Sequence, residues 1–540
     1  MSDPTLSNTT EIKHSKATLA LLDTLGSIPK KISLSEGEAY EVSQTVTFLG
    51  VIYEKVRNAI EFNEEHLIRR LAISRVLRRR LSLNLKGAGE GENLVRELMW
   101  GNYVPKRSIG LAQVQKVQKI IDDYIYLYQE IQKTHTIKNG HQLLEIVINL
   151  LSCELEETLN YSDTYKTSAY LYYFYQVLRD KIALKDVSED DRNTFFYVAA
   201  EQALLKNDNL YIRYHLFIIN NGPLHELTKE QIKKTAQNFH VFYKESDRIL
   251  KNSYNEKLVK FARKQSAPFR VLYHLLEKED IDVKEVLSDK VKLQREVNNV
   301  CEAKYNEIAK KLNAAAFRSI IYIFFTKMIL VLLVELPLSQ FFFGEVHLLS
   351  LGINTLFPPV LMGLIVSFIS PPSDDNTKRI YSRIINIIDK DPSFETKPTD
   401  FSIANKSRRP TLIFVFSILY VLIFYAIFSS VYFALNSLNF NILSKIIFMF
   451  FMSVVAFFGY RIRQGPKEYI LDSRNNPIVS IFTFIFLPVI YVGKVLSKEI
   501  GRINLFILLF DTLIEAPFKV FIDIFEEWSR FMKARKDELV

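Results

Sequence analysis

TLIFVFSILYVLIFYAIFSSVYFAL, running from Thr411 to Leu435, holds 25 residues and not one charge. A helix needs roughly 20 consecutive apolar residues to cross a bilayer, so this stretch sets the class of the whole chain. Three further runs, Phe317–Leu336, Leu348–Ser370 and Ile442–Tyr460, have a similar character. The sequence before them is charged, punctuated by glycine and proline, and helical in its spacing. The expected fold class is all-α, with an N-terminal cytosolic multi-helix domain followed by an α-helical polytopic membrane domain.

A length of 540 residues allows two to four domains. Hydrophobic content of 48% beside 24% charged residues averages two unlike parts, because most charges fall in the first 316 positions. The net charge of +9 fits basic residues that hold membrane segments against anionic lipid, and nucleic acid is disfavoured as a partner. The two cysteines, Cys153 and Cys301, make neither a disulfide framework nor a zinc site, and suit a reducing compartment. The opening MSDPTLSNTTEIKHSKATLA has no charged-then-apolar leader pattern. The first apolar span, near residue 317, is therefore expected to act as the insertion signal.

Residues 1–34 read as a flexible arm. Residues 35–288 read as a soluble helical domain, with capping boxes at Ser35-Glu-Gly-Glu38 and Thr228-Lys-Glu-Gln231. Within it, Leu111–Ile131 and Leu143–Leu159 repeat apolar residues at three- and four-residue steps. Residues 289–316 read as a helical stalk that joins the first span in one helix of about 50 residues, with a break near Asn313–Ala316 as an equal alternative. Residues 317–370 and 411–460 form two transmembrane hairpins around a basic loop, 371–410. The final region, 478–540, is expected to be re-entrant or interfacial, since Pro488 interrupts one apolar segment and the other is short. Its end carries an amphipathic face of Phe518, Phe521, Ile522, Phe525 and Trp528.

Loop charge predicts orientation. Residues 371–410 carry eight Lys/Arg, whereas Ser339–His347 has only Glu345 and Asn436–Asn441 has no charge. Basic loops stay inside, so both termini are expected in the cytoplasm of a multi-pass protein of the cell membrane.

Four intramembrane polar candidates follow: Lys327, Glu335, Asp511 and Glu515. A cation at mid-bilayer costs at least about 2.5–3.5 kcal/mol unless it is paired or hydrated. In a regular α-helix eight residues turn about 80° beyond two full turns. That spacing argues against direct Lys327–Glu335 pairing and favours Asp511 or Glu515 as the partner of Lys327, or a shifted span in which Lys327 reaches the interface. Pro358-Pro359 marks a helix break or kink in the second span. Arg69, Arg70, Arg78 and Arg79, with Lys378, Arg379, Arg408 and Arg409, are candidate contacts for anionic lipid or phosphate. For the first four, pairing with nearby carboxylates is the plainer reading. The tyrosines Tyr161, Tyr165, Tyr170, Tyr172, Tyr173 and Tyr175 are expected to line a core or groove.

No catalytic residue, metal site or cofactor is expected. KGAGEGEN (Lys86–Asn93) lacks the Gly-Lys-Ser/Thr ending of a phosphate loop, and His141 with Glu145 has no third ligand. The sequence thus points to a membrane-anchored scaffold or adaptor that binds a cytosolic protein, with a channel or transporter regulated by the helical domain as the alternative. A homo-oligomer fits either reading.

Overall fold

The computed structural model describes residues 12–28, 50–51, 54–55, 67–83, 85, 87–104, 108–134, 140–278, 282–344, 348–367, 369, 372–389, 399–401, 410–463, 465–471 and 477–502, with scattered positions between 520 and 535. These residues are helical almost throughout. The helices are α1 (Lys16–Gly26), α2 (Ile68–Leu83), α3 (Glu90–Trp100), α4 (Leu111–Thr134), α5 (Gly140–Leu159), α6 (Tyr161–Leu178), α7 (Glu189–Leu204), α8 (Asn209–Asn221), α9 (Lys229–Leu250) and α10 (Asn255–Leu276). They continue as α11 (Val283–Ser288), α12 (Lys290–Leu330), a π turn (Val331–Glu335), α13 (Leu336–Phe343), α14 (Leu348–Ser367), α15 (Asp374–Ile388), α16 (Pro410–Ser437), α17 (Ile442–Ile462) and α18 (Pro477–Arg502). Among the described residues only Ile182–Leu184 and Thr399–Phe401 are extended strands.

The chain divides into two compact units, Ala17–Lys260 with Leu505–Val540, and Phe261–Asn504 with Met1–Lys16. The membrane-type unit thus begins near residue 261, earlier than the boundary expected at 289.

The first unit is a helical body with its own apolar centre. Ile73 and Leu77 of α2, Ile121, Tyr124 and Leu127 of α4, Leu155 of α5 and Phe217 of α8 are all sealed in one cluster. Near-continuous burial at three- and four-residue steps is what the periodicity of α4 and α5 dictates. The capping box at Thr228 is present, with the Thr228 and Gln231 side chains each bonding the other's backbone N–H. Its counterpart at Ser35 lies outside the described residues. Part of the expected flexible arm is ordered: α1 buries Leu21 and Leu22, and Thr18 Oγ1 lies 3.0 Å from Tyr173 Oη. The apolar patch Leu19–Leu25 is amphipathic at helical spacing, which gives it a face to dock.

Among the described residues, the second unit holds four helices long and apolar enough to cross a membrane. α12 runs unbroken through Asn313–Ala316, so stalk and first span are one rod. α14 likewise runs through Pro358 and Pro359 without interruption, so of the two alternatives, break or kink, the helix does not break there. The two prolines remove only the N–H donors to the Asn354 and Thr355 carbonyls, too few bonds to outweigh the rest of the helical ladder in apolar surroundings. α16 leaves Phe414, Phe416, Leu422 and Tyr425 more than half exposed, as a lipid-facing helix requires. α18 is a single 26-residue helix containing Pro488; the segment after it lies outside the described residues, so the re-entrant expectation has no counterpart to compare.

α17 and α18 pack almost backbone to backbone at Gly493, where a Cβ would lie 1.9 Å from the Ser453 carbonyl oxygen. No rotamer relieves that clash, because the obstacle is main chain. Gly493→Ala is expected to force the two helices apart and to lower stability by about 1–3 kcal/mol or more. Unfolding of the purified protein in mixed detergent checks this, and an unchanged midpoint would mean the helices are not this close.

Candidate functional site

The polar residues of the apolar helices converge. Lys327 Nζ stands 3.5 Å from Glu335 Oε2, and both side chains are fully buried. Glu335 Oε1 accepts from Asn354 Nδ2 of α14 at 2.5 Å and from Ser444 Oγ of α17 at 2.6 Å. Lys327 Nζ also lies 4.7 Å from the centre of the Phe451 ring, a cation–π contact that offsets part of its desolvation. One carboxylate therefore ties together three helices.

The direct pairing corrects the sequence expectation, and the π turn is the reason. Leu336 N–H bonds the Val331 carbonyl, five residues back. This register takes up one extra residue, so eight residues rotate as about seven, roughly 20° short of two turns. Lys327 and Glu335 then share one stripe. Pro337 accounts for the turn, since it has no N–H to offer the carbonyl four residues back and its ring crowds that carbonyl. Lys327 is held, fully buried, at this cluster. The other expected partners, Asp511 and Glu515, lie outside the described residues.

Three members of this neighbourhood escaped the sequence reading: Asn354, Ser444 and Lys445. Lys445 Nζ donates to Asn436 Oδ1 at 2.7 Å and sits 4.3 Å from the centre of the Tyr432 ring. Near it, Asn441 donates to Ser339 Oγ at 2.9 Å, and its own Oδ1 accepts from the Ser444 N–H at 2.7 Å, capping α17. The signal was available, because a second lysine in an otherwise apolar span is as costly there as Lys327, and a buried amide also needs hydrogen-bond partners.

A second polar joint lies in the same unit at the start of α15. Asn376 Nδ2 donates to Tyr305 Oη of α12 at 2.8 Å and to the Tyr469 carbonyl at 2.7 Å, while its Oδ1 accepts from the Leu471 N–H at 3.0 Å. Tyr469 Oη in turn lies 3.0 Å from His274 Nε2 of α10. One asparagine thus joins the stalk, the loop helix and the segment that follows α17. α15 buries Ile380, Ile384, Ile387 and Ile388. Arg379 on the same helix pairs with Asp375 at 3.0 Å, and Lys378 beside it is exposed. Arg408 and Arg409 lie outside the described residues.

The arginines of α2 are an ion-paired hub. Arg69 meets Glu156 at 3.5 Å, Arg70 meets Asp208 at 2.6 Å, Arg78 meets Glu145 at 2.7 Å and Arg79 meets Glu97 at 2.5 Å. These contacts support the carboxylate reading of the four arginines, with partners that lie far from α2 in sequence for Arg69, Arg70 and Arg78. Glu145 is thereby engaged with Arg78, and no group of metal-ligating residues occurs among the described residues.

Beside this hub His215 of α8 is clamped between Glu157 and Glu201, each at 2.7 Å. Burial alone would lower its pKa, but the two carboxylates outweigh it and hold the imidazolium up to about 10. Burial pushes the Glu156 carboxyl up to about 7, against the nearby Arg69. Both folded values exceed the unfolded ones. The His215 contribution is complete below about pH 6.5 and is lost as pH rises toward about 10. Glu156 works against the fold increasingly from about pH 4.5 to about 7. Stability should therefore fall on the alkaline side, and His215→Gln should flatten that slope above about pH 7 when denaturation midpoints are compared. An identical slope in the variant would exclude His215 as its source.

The six tyrosines divide by face. Tyr170, Tyr173 and Tyr175 are buried, but Tyr161, Tyr165 and Tyr172 are 58%, 40% and 56% exposed. The first two stack with ring centres 5.9 Å apart. Expected as core or groove lining, half of the set forms instead an outward stripe, because steps of four and seven residues return to one side of a helix.

Fold and site together define a class: an all-helical chain with four helices able to cross a membrane and a charged, hydrogen-bonded cluster buried among them. No protein-family profile matches the chain, and neither does any curated protein or solved structure.

Proposed function

We propose that this is a membrane-anchored scaffold or adaptor. Its helical domain engages a cytosolic protein, while the apolar helices hold it at the cell membrane with both termini in the cytoplasm. The observation that carries the reading is the exposed tyrosine stripe on α6, displayed by a unit with its own sealed core. Tyrosine offers a large rigid contact area at low entropy cost and is enriched at protein interfaces. The expected result with a photo-crosslinking residue in place of Tyr165 in the full-length protein is one recurrent cytosolic partner. That adduct should vanish in the Tyr161→Ser/Tyr172→Ser background. Adducts to lipid alone would overturn the reading, and adducts to a second copy would replace the partner with a homo-oligomer.

The topology has its own test, since both native cysteines are buried. A membrane-impermeant maleimide added to intact cells should label Leu438→Cys and leave Lys390→Cys unmodified. The reverse pattern would invert the protein.

The buried cluster favours a second reading, a channel or transporter that the helical domain regulates. Ion or solute flux into liposomes, abolished by Lys327→Ala or Asp511→Ala, would select it over the adaptor.

A further inference from the structure

The bonds around Glu335 are unequal. Its short contacts come from the neutral donors Asn354 and Ser444, at 2.5 and 2.6 Å. The ammonium of Lys327 stands at 3.5 Å, outside the roughly 2.7–2.9 Å of a charge-assisted N–H···O bond. The carboxylate is therefore positioned by three helices without the lysine, and Oε2 has the ammonium as its sole partner among the described residues. A second acceptor is close at hand. Asn354 Oδ1 is fully buried and has no donor among the described residues, and its amide cannot turn over, because that would press oxygen against Glu335 Oε1. An unsatisfied buried oxygen in apolar surroundings is costly, and Asn354 Oδ1, beside a carboxylate whose Oε2 is held only at 3.5 Å, suits an oxygen-seeking cation.

Charge narrows the choice. α14 has no ionisable side chain; on α17, Lys445 is engaged by Asn436 and Tyr432, and Tyr460 and Arg461 lie at the opposite end of that helix from Ser444. The cluster is neutral as an ion pair. It stays neutral if Lys327 gives up one proton as one positive charge arrives at Oε2, whereas a divalent ion would leave an excess charge in an apolar layer. We propose that the Lys327–Glu335–Asn354–Ser444 cluster is an alkali-cation site, at which a sodium or potassium ion takes the place of the Lys327 proton. In that exchange the Nζ–H bond breaks and its proton leaves to water, the electron pair stays on Nζ, and the cation is bound by Glu335 Oε2 and Asn354 Oδ1. The site stands apart from the adaptor reading and does not depend on it.

The test uses the full-length protein in detergent. Thermal unfolding is compared in sodium, potassium and choline chloride at equal ionic strength. An alkali cation is expected to raise the midpoint by at least about 3 °C over choline, with a gap that widens as pH rises, because proton release opposes binding. Lys327→Met should show the gap at every pH. Glu335→Gln and the double variant Lys327→Met/Glu335→Gln, in which no buried charge is left unpaired, should show none. Adding salt to weakly buffered wild-type protein should release about one proton per chain, a readout that needs no variant to fold. Equal midpoints in all three salts with no proton release would overturn the site and leave the cluster as a latch between helices. Gaps of equal size in wild type and Glu335→Gln would overturn it as well, because the cation would then bind elsewhere.

Discussion

Lys327→Met alone is expected to cost about 3–5 kcal/mol of stability, since it strands the Glu335 carboxylate without a counter-charge among three apolar helices. Glu335→Gln alone should be comparably damaging, because it strands the ammonium. The double variant should recover most of the loss. Glutamine still accepts from Asn354 and Ser444, whose donors meet this carboxylate at 2.5 and 2.6 Å, and methionine fills the lysine stem's place beside Phe451. Unfolding in mixed detergent micelles at one pH, without alkali salts, gives the three values. Singles and double with the same loss would show that the two charges do not interact and that the π turn has no role in pairing them.

The second large effect lies in the other unit. Arg70 is only 1% exposed, and Asp208, at 2.6 Å, is its one ion-pair partner among the described residues. Two of its guanidinium nitrogens, Nε and Nη1, meet no acceptor, so the arginine depends on that carboxylate. Asp208→Asn keeps the cap on α8, because the same side chain accepts from the Tyr211 N–H at 2.9 Å and asparagine caps as well as aspartate. It nonetheless leaves a buried cation uncompensated, and a loss of about 3–5 kcal/mol is expected. Arg70→Met should be much milder, because Asp208 is partly exposed and returns to water. Chemical denaturation of the two variants should therefore differ severalfold. Equal losses would show that the stranded buried cation is not the source of the damage.

The α2 arginines show why a charged run says little by itself. EEHLIRRLAISRVLRRR carries its acidic residues close by in sequence, yet the arginines reach carboxylates on other helices. Local spacing limits which side chains can meet along one helix, but it cannot name partners that folding brings from a hundred residues away. The tyrosines teach the same lesson in reverse. Their spacing already placed them on two faces of α6, and composition alone had suggested a single lining.

Periodicity, apolar run length and capping signals were sufficient to determine an all-helical chain, its four potential membrane helices among the described residues and the capping box at Thr228, because each depends on residues within a few turns of one another. Lys327 and Glu335 were also legible as anomalies, since a charge in an apolar helix is costly wherever it lies. Their pairing was not. It rests on one extra residue in the turn before Pro337, and on Asn354 and Ser444 arriving from two other helices. Such a change of register costs little locally and is settled by whichever packing best satisfies the buried carboxylate, so only the tertiary structure decided it.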